Sequence, residues 1–158
     1  MKRTLILLLL ILPFAGSQTF AQKQLKDFDA LMDALNGGAI VRMTIHYGEC
    51  TLIVDGKEED KSVNAVGGMS LDVYEYFAKG VVYNKQAFVV ASKTKLIANP
   101  LGDGFTYNYA KVKVYADGTV KLLAQYVDPK TFEVTMNETF VTTMNQGKTE
   151  GAAYFYRN

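Results

Sequence analysis

The chain has 158 residues, with 17 basic and 16 acidic side chains, one Cys and one His. This length predicts a single domain, and a formal net charge of +1 gives no reason to expect nucleic acid or an anionic membrane surface as a partner. The single Cys excludes an intramolecular disulfide and any zinc site built from several cysteines, and the single His excludes sites that need two histidines.

Residues 1–21 have the order of a secretory signal peptide. A basic start at Met1–Arg3 precedes eight unbroken apolar residues, Leu5–Leu12, and Thr19-Phe20-Ala21 offers small residues before a cleavage point. The apolar run is too short for a membrane anchor, which needs about 20 residues. We expect export, with Ser17 as an alternative cleavage point. The remaining single mature domain, 22–158, carries 15 basic and 16 acidic side chains and a net charge of −1.

Helical periodicity is confined to Lys23–Asn36. At 100° per residue, five apolar side chains share an arc of about 120°: Leu25, Phe28, Leu31, Met32 and Leu35. Asn36-Gly37-Gly38 then ends the helix. Such a stripe also suits a membrane surface, but the polar side holds more Asp than Lys, which disfavours anionic lipid. We therefore expect this N-terminal helix to pack on a sheet.

From residue 39 onward the apolar period is two. The predicted strands are 41–47, 50–54, 69–78, 86–92, 94–99, 105–115, 119–127, 132–141 and 152–157, with a charged loop at 57–61. Because no second helical stretch separates these strands, an antiparallel meander is favoured over parallel pairing. The predicted fold class is α+β, mainly β, with the helix on one curved antiparallel sheet of eight or nine strands. A partly closed barrel is the alternative.

Two turns predict the register of the central strands. A three-residue loop, Ala116-Asp117-Gly118 with Gly118 left-handed, keeps one face apolar by pairing Val114–Val120, Val112–Leu122 and Ala110–Ala124. The same reasoning at Asp128-Pro129-Lys130 pairs Tyr126–Phe132, Ala124–Val134 and Leu122–Met136.

His46, Glu49 and Cys50 are of types that ligate zinc or copper, and Cys50 beside His46 is also a candidate nucleophile. Against both ideas, His46 falls on the polar side of its strand, and three local ligands at one strand end seldom converge. We expect neither a metal nor a cofactor. Cys50 is expected to pack as a small apolar residue, with a disulfide to a second chain as the alternative.

Two carboxylates interrupt the apolar alternation. Glu75 lies in phase with Leu71, Val73 and Phe77, and Glu138 lies in phase with Phe132, Val134, Met136 and Phe140. An inward carboxylate is costly unless it is paired or hydrogen-bonded, and two adjacent ones would have the separated pKa values that acid/base catalysis requires. A bulge, or a position at the open end of the sheet, explains both carboxylates without catalysis, and we favour that interpretation.

A candidate binding face combines aromatic and basic side chains. Tyr107 and Tyr109 project from the non-core face together with Lys111 and Lys113. Tyrosine beside lysine suits stacking of sugars or bases or contact with a protein, although Tyr is also common in strands for its β-propensity.

The order and spacing of these segments resemble the VirK family of small exported bacterial proteins. The matching segments are Phe28 to Gly38 running into a strand and Cys50, Val66 to Met69 leading to Tyr74–Phe77, Asn108 to Tyr115 with Asp117-Gly118, Asp128 to Thr131, and Gly151 to Tyr156. The resemblance implies an exported, single-domain bacterial protein with a link to virulence. It implies no established activity and no catalytic residues.

We therefore expect an exported protein, periplasmic or secreted, that acts by binding rather than catalysis. The alternative is a small-molecule carrier with a cavity inside the sheet, where Glu75 or Glu138 orients the ligand. A hydrolase using the two carboxylates is the weakest hypothesis. The expected partner is a protein or a small molecule, with no nucleic acid and no stable membrane insertion after signal cleavage.

Overall fold

The computed structural model describes residues 22–147 and 150–157. The predicted signal peptide lies outside these residues. The described elements are β1 Lys23–Leu25, α1 Phe28–Asn36, β2 Val41–His46, a 3₁₀ turn Tyr47–Glu49, β3 Thr51–Val54, β4 Lys57–Glu59, β5 Val66–Ser70, β6 Tyr74–Phe77, β7 Phe88–Ala98, β8 Phe105–Tyr115, β9 Thr119–Val127, β10 Val134–Thr143 and β11 Ala153–Arg157. None of the helices in these two ranges is long and apolar enough to cross a membrane.

The strands form two antiparallel sheets rather than the single sheet predicted. The smaller sheet has the order β1-β11-β2-β5, and the larger has the order β4-β3-β10-β9-β8-β7-β6. The mainly β, antiparallel prediction is confirmed. The partly closed barrel is wrong, because each sheet ends in edge strands that are not paired to one another in the described residues.

The first described element is a strand, not the predicted helix. Lys23–Leu25 pairs with Arg157–Phe155 of β11. Asp27 has an extended backbone (φ −146°, ψ 171°), and its carboxylate accepts a hydrogen bond from the Ala30 N–H at 2.8 Å. That contact is an N-cap, so the helix begins only at Phe28. The predicted helix from Lys23 was therefore too long, and α1 lies against β1 and β2 of the smaller sheet.

Three predicted strand boundaries are also wrong. The run 69–78 divides into β5 and β6, which lie in different sheets, and the predicted charged loop at 57–61 contains β4. The runs 86–92 and 94–99 join into the single strand β7, since every residue from Phe88 to Ala98 pairs with β8. Lys93 therefore belongs to the middle of a continuous strand.

One predicted hairpin register is confirmed and the other is wrong. Val114–Val120, Val112–Leu122 and Ala110–Ala124 pair as predicted, and Gly118 has φ 83°. At the next turn, however, Tyr126 pairs with Met136 and Leu122 with Phe140. The Asp128 carboxylate accepts hydrogen bonds from the N–H groups of Lys130 and Thr131, which makes a longer turn. A bulge between Val134 and Met136 follows.

The larger sheet is covered over only half of one face. We call this face the inner face. Side chains of both sheets and of α1 form one continuous apolar cluster. The covered half of the inner face contributes Val89, Ala91, Val112, Val114, Val120, Leu122 and Phe140. Strands β7–β10 continue past this cluster into an open half, whose inner-face residues include Lys93, Lys95, Asn108, Tyr126, Met136 and Glu138, with Ala110 and Ala124 at the boundary. At the far end of this half Ile97 pairs with Thr106, and Thr106 is buried again.

Candidate functional site

The predicted tyrosine–lysine residues lie together on the face opposite the core. Tyr107, Tyr109, Lys111 and Lys113 alternate along β8 with the inner-face residues Asn108, Ala110 and Val112. All four side chains are half-buried. Their cross-strand neighbours include Leu96 and Val127 beside Tyr107, and Thr94 and Gln125 beside Tyr109. We call this the outer face, and it combines aromatic, aliphatic and basic side chains in adjacent rows.

The two predicted carboxylates lie on opposite faces of the larger sheet. Glu75 pairs with Val90, which pairs with Lys113 on the outer face. Glu138 pairs with Ala124 on the inner face. Directly paired residues in an antiparallel sheet point to the same side and successive residues to opposite sides. Glu75 and Glu138 therefore cannot act as one acid/base pair, and Glu75 cannot orient a ligand inside the sheet.

The inner face has a cleft where the covered half ends. This cleft, of about 440 Å³, lies between β5 and the open parts of β7 and β8. It is lined by Gly68, Met69, Ser70, Lys93, Thr94, Lys95, Asn108 and Ala110. The Lys93 ammonium pairs with the Asp72 carboxylate at 3.1 Å, and that hydrogen bond holds the pKa of Asp72 below its usual value. Lys95 and Asn108 are directly paired across the strands and offer hydrogen-bond donors to the cleft.

Glu138 lies across the same face from Lys93. Lys93, Ala110, Ala124 and Glu138 are paired in one row across four strands. At about 4.8 Å per strand, roughly 14 Å separates the two charged positions, and two alanines form the floor between them. This row supplies a positive end, a negative end and a shallow apolar middle.

Tyr47 marks the limit of the covered half. Its ring packs on Phe140 with centroids 4.5 Å apart, and its ring atoms lie directly beneath Gly67 of β5. Burial is the main reason why the pKa of Tyr47 is raised, with smaller contributions from Cys50, Tyr126 and Glu138.

His46, Glu49 and Cys50 do not converge on one point. The His46 Nδ1 atom is 3.6 Å from a Glu49 carboxylate oxygen, whereas the Cys50 thiol donates to the His46 carbonyl at 3.3 Å. Burial raises the pKa of Cys50 to about 11. Cys50 is 9% exposed and belongs to the apolar cluster, which confirms the prediction that it packs as an apolar residue. Within residues 22–147 and 150–157, no group of three or more His, Cys, Asp and Glu side chains is placed to hold a metal.

The lysines of the cleft were not among the site residues predicted from the sequence. Lys93 and Lys95 are in phase with the buried Val89 and Ala91, so the alternation along β7 places all four on the inner face. The predicted break in this strand at residue 93 concealed that phase. The signal that could have identified them is the two-residue alternation, if it is continued through residues 86–99 as one strand.

Three comparisons with known proteins bear on identity. A profile of the family described as VirK protein matches residues 24–132, which is more than half of the chain. No curated protein matches the sequence. The crystal structure of lpg1832, a VirK family protein from Legionella pneumophila, has a similar fold, with a TM-score of 0.63 and 15% identity over 84% of this chain and 97% of that one. The resemblance noted in the sequence is confirmed, and the chain belongs to the VirK family.

Proposed function

We propose that the chain is an exported bacterial protein that acts by binding a partner protein through the outer face. The observation that supports this most is the outer face itself, where Tyr107, Tyr109, Lys111 and Lys113 follow one another along a central strand. Tyrosine is enriched at the centre of protein interfaces because it buries a large ring while keeping a polar hydroxyl. Mixed aromatic and basic rows of this kind favour an interaction role over catalysis.

Export rests on the order of segments in residues 1–21. Expression of the full sequence in a Gram-negative bacterium, followed by cell fractionation and N-terminal sequencing, tests it. We expect the mature chain outside the cytoplasm, beginning at Gln22 or just after Ser17. A cytoplasmic chain that keeps Met1 would contradict export.

Alternation along β8 provides a matched test of the binding face. A photo-cross-linking residue replaces Tyr107 or Tyr109 on the outer face, or Asn108 between them on the inner face, in cells that produce the protein. We expect a defined adduct with one partner from positions 107 and 109 and none from position 108. The double variant Tyr107→Ala/Tyr109→Ala, with an unchanged melting temperature, should lose the adduct formed from a probe at Lys111. Adducts from position 108 alone would contradict the outer face as the interface.

A second candidate function is a small-molecule carrier, favoured by the cleft of about 440 Å³. Its volume falls within the usual range of ligand sites, about 300–1,000 Å³, and Lys95 and Asn108 suit a ligand with an anionic group. Native mass spectrometry of protein from its producing cells tests this function. We expect a bound small molecule that is absent from the Lys95→Ala variant. Protein that carries no small molecule under gentle ionisation would count against the carrier.

A further inference from the structure

The loop between β6 and β7 exposes three consecutive large side chains. Val81 is 66% exposed, Val82 48% and Tyr83 fully exposed. Tyr83 has φ 60°, a left-handed conformation that is uncommon for a residue with a side chain. Residues of this kind persist only where the surrounding structure holds them in place.

Asn84 holds this loop in place beneath its apolar tip. Its side-chain oxygen accepts a hydrogen bond from the Val82 N–H at 3.1 Å. Its amide nitrogen donates to the carbonyls of Ala78 at 2.9 Å and Gln86 at 2.7 Å. The Gly80 N–H also donates to the Asn84 carbonyl at 3.0 Å. The tip is thus displayed on a hydrogen-bonded base, rather than left exposed by a loose segment.

Two lysines lie directly opposite each other beside this loop. Lys113 of β8 pairs with Lys121 of β9 on the outer face, and like charges in that position destabilise a sheet. The Lys113 ammonium lies 4.8 Å from the Phe88 ring centroid, and the Lys121 ammonium lies 5.9 Å from that of Tyr115. Cation–π contacts of this length offset part of the repulsion. Neither ammonium has a carboxylate within 4.0 Å in the described part of the chain.

The loop and the lysine pair share one pocket. Its volume is about 540 Å³, and its lining includes Val82, Lys85, Lys113 and Lys121. Asp117 also lines it, but this carboxylate accepts hydrogen bonds from the Gln86 side chain and from the Thr119 N–H, each at 2.9 Å. Three basic side chains therefore line a pocket that Val82 connects to the apolar tip of the loop.

We propose that this end of the larger sheet attaches the protein peripherally to an anionic lipid bilayer. Val81, Val82 and Tyr83 lie in the interfacial layer, while Lys85, Lys113 and Lys121 face lipid phosphates. Lys113 then belongs to this end of the sheet, and the protein interface proposed above is formed by Tyr107, Tyr109 and Lys111. Bilayer attachment of this type combines buried apolar area with attraction of basic residues to anionic headgroups. The net charge of the whole chain gave no sign of such a partner, because acidic residues elsewhere conceal this local group of lysines.

Charge distinguishes this end from the other apolar end of the same sheet. Leu101, Phe105 and Phe132 are also exposed there. The segments around them contain three carboxylates, Asp103, Asp128 and Glu133, against the single basic residue Lys130. An anionic surface would repel those carboxylates, so the complementarity selects the β6–β7 loop.

Tryptophan reporters can identify the end that meets lipid, since the chain contains no Trp. The protein is expressed from the full sequence and confirmed by mass to have lost its N-terminal segment. Tyr83→Trp should show blue-shifted emission with phosphatidylglycerol-containing vesicles and no shift with phosphatidylcholine alone. Phe132→Trp is the matched reporter at the opposite end and should show no shift with either. A shift from position 132, or none from position 83, would overturn the proposal.

Vesicle co-sedimentation then separates the contribution of the lysines from that of the apolar loop tip. Lys113→Gln/Lys121→Gln should lower partitioning about 25-fold, at about fivefold per lysine near an anionic surface, and high salt should weaken wild-type binding. Val81→Ser/Val82→Ser should lower it roughly tenfold through lost apolar burial. Lys57→Gln/Lys61→Gln and Leu101→Ser are the matched controls and should bind as wild type. Equal binding to neutral vesicles would refute an anionic bilayer as the partner, and full displacement by inorganic phosphate would refute a bilayer in favour of a soluble anion.

Discussion

The covered and open halves of the inner face belong to the same four strands but have different surroundings. In the covered half, Val89, Val114 and Phe140 are almost completely buried under the smaller sheet and α1. A few residues further along the same strands, Lys95 and Glu138 occupy the same side of the sheet without that cover. The alternation of each strand is unbroken across the boundary, and only the chemistry of the inward residues changes.

This difference shows that the cover, not the strand, decides where the core ends. The smaller sheet reaches only as far as β5 and Tyr47, and the cleft begins at the β5 residues Gly68, Met69 and Ser70. Strands longer than their cover necessarily extend an inward face into solvent. Because such a face needs polar residues, it provides a ready position for a ligand cleft.

The largest expected loss of stability distinguishes the covered half from the open half on a single strand, β10. Phe140→Ala removes a ring that is 2% exposed and packed at a tilt against the Tyr47 ring, and should cost about 3–5 kcal/mol of the free energy of unfolding. Glu138→Ala, two residues earlier on the same face, is the control and should cost less than about 1 kcal/mol. Urea unfolding measures both. Equal losses would mean that the open half is packed as tightly as the core.

The second effect tests the boundary itself. A Cβ added at Gly67 would lie 2.8 Å from two ring carbons of Tyr47, so Gly67→Ala should cost about 1–3 kcal/mol through overpacking. Combining it with Tyr47→Leu should remove most of that additional cost in a double-mutant cycle. Gly102→Ala is the control, because its nearest neighbour would be 3.6 Å away. Additive losses for Gly67 and Tyr47 would show that the two residues do not define the boundary.

A third expected effect is a pH dependence of stability that arises from the buried Cys50 thiol at the edge of the core. The pKa of Cys50 is raised from 9.0 to about 11, so the folded state favours the protonated thiol. Its contribution to stability is complete below about pH 9 and is lost as the pH rises towards 11. Urea unfolding across this range should show a decline that is smaller in Cys50→Ala. Identical pH dependence in both proteins, or rapid maleimide labelling of the folded wild type at neutral pH, would contradict a buried thiol.

Local features, such as a hairpin, were predicted from the sequence better than the pairing of strands that are distant in the chain. The Asp117-Gly118 hairpin was predicted to the residue, because a two-residue period and a short turn leave one register that keeps Val114 and Val120 buried. The division into two sheets was not predictable in this way, since pairing of β2 with β11 depends on contacts more than a hundred residues apart. The longer turn at Asp128 depended on one side chain that accepts backbone hydrogen bonds.

The same contrast between local and long-range features applies to the candidate site. The outer-face row from Tyr107 to Lys113 followed directly from alternation, and the structure places it there. Glu75 was misplaced because the run 69–78 was treated as one strand, and dividing that run into β5 and β6 puts Glu75 on the outer face. The cleft could not be predicted, because it forms where β5 of one sheet meets β7 and β8 of the other.

The smallest effect should be found at Lys95, in the open half. This side chain is exposed on the inner face, so Lys95→Ala should change the free energy of unfolding by no more than about 0.5 kcal/mol. Val89→Ala, on the same strand and face but in the covered half, should cost clearly more because it leaves a cavity. Thermal unfolding of both variants makes the comparison. If Lys95→Ala proved as costly as Val89→Ala, the lysine stem would be packing across the cleft as apolar surface, and a cleft filled by its own side chains would leave no room for the carried molecule.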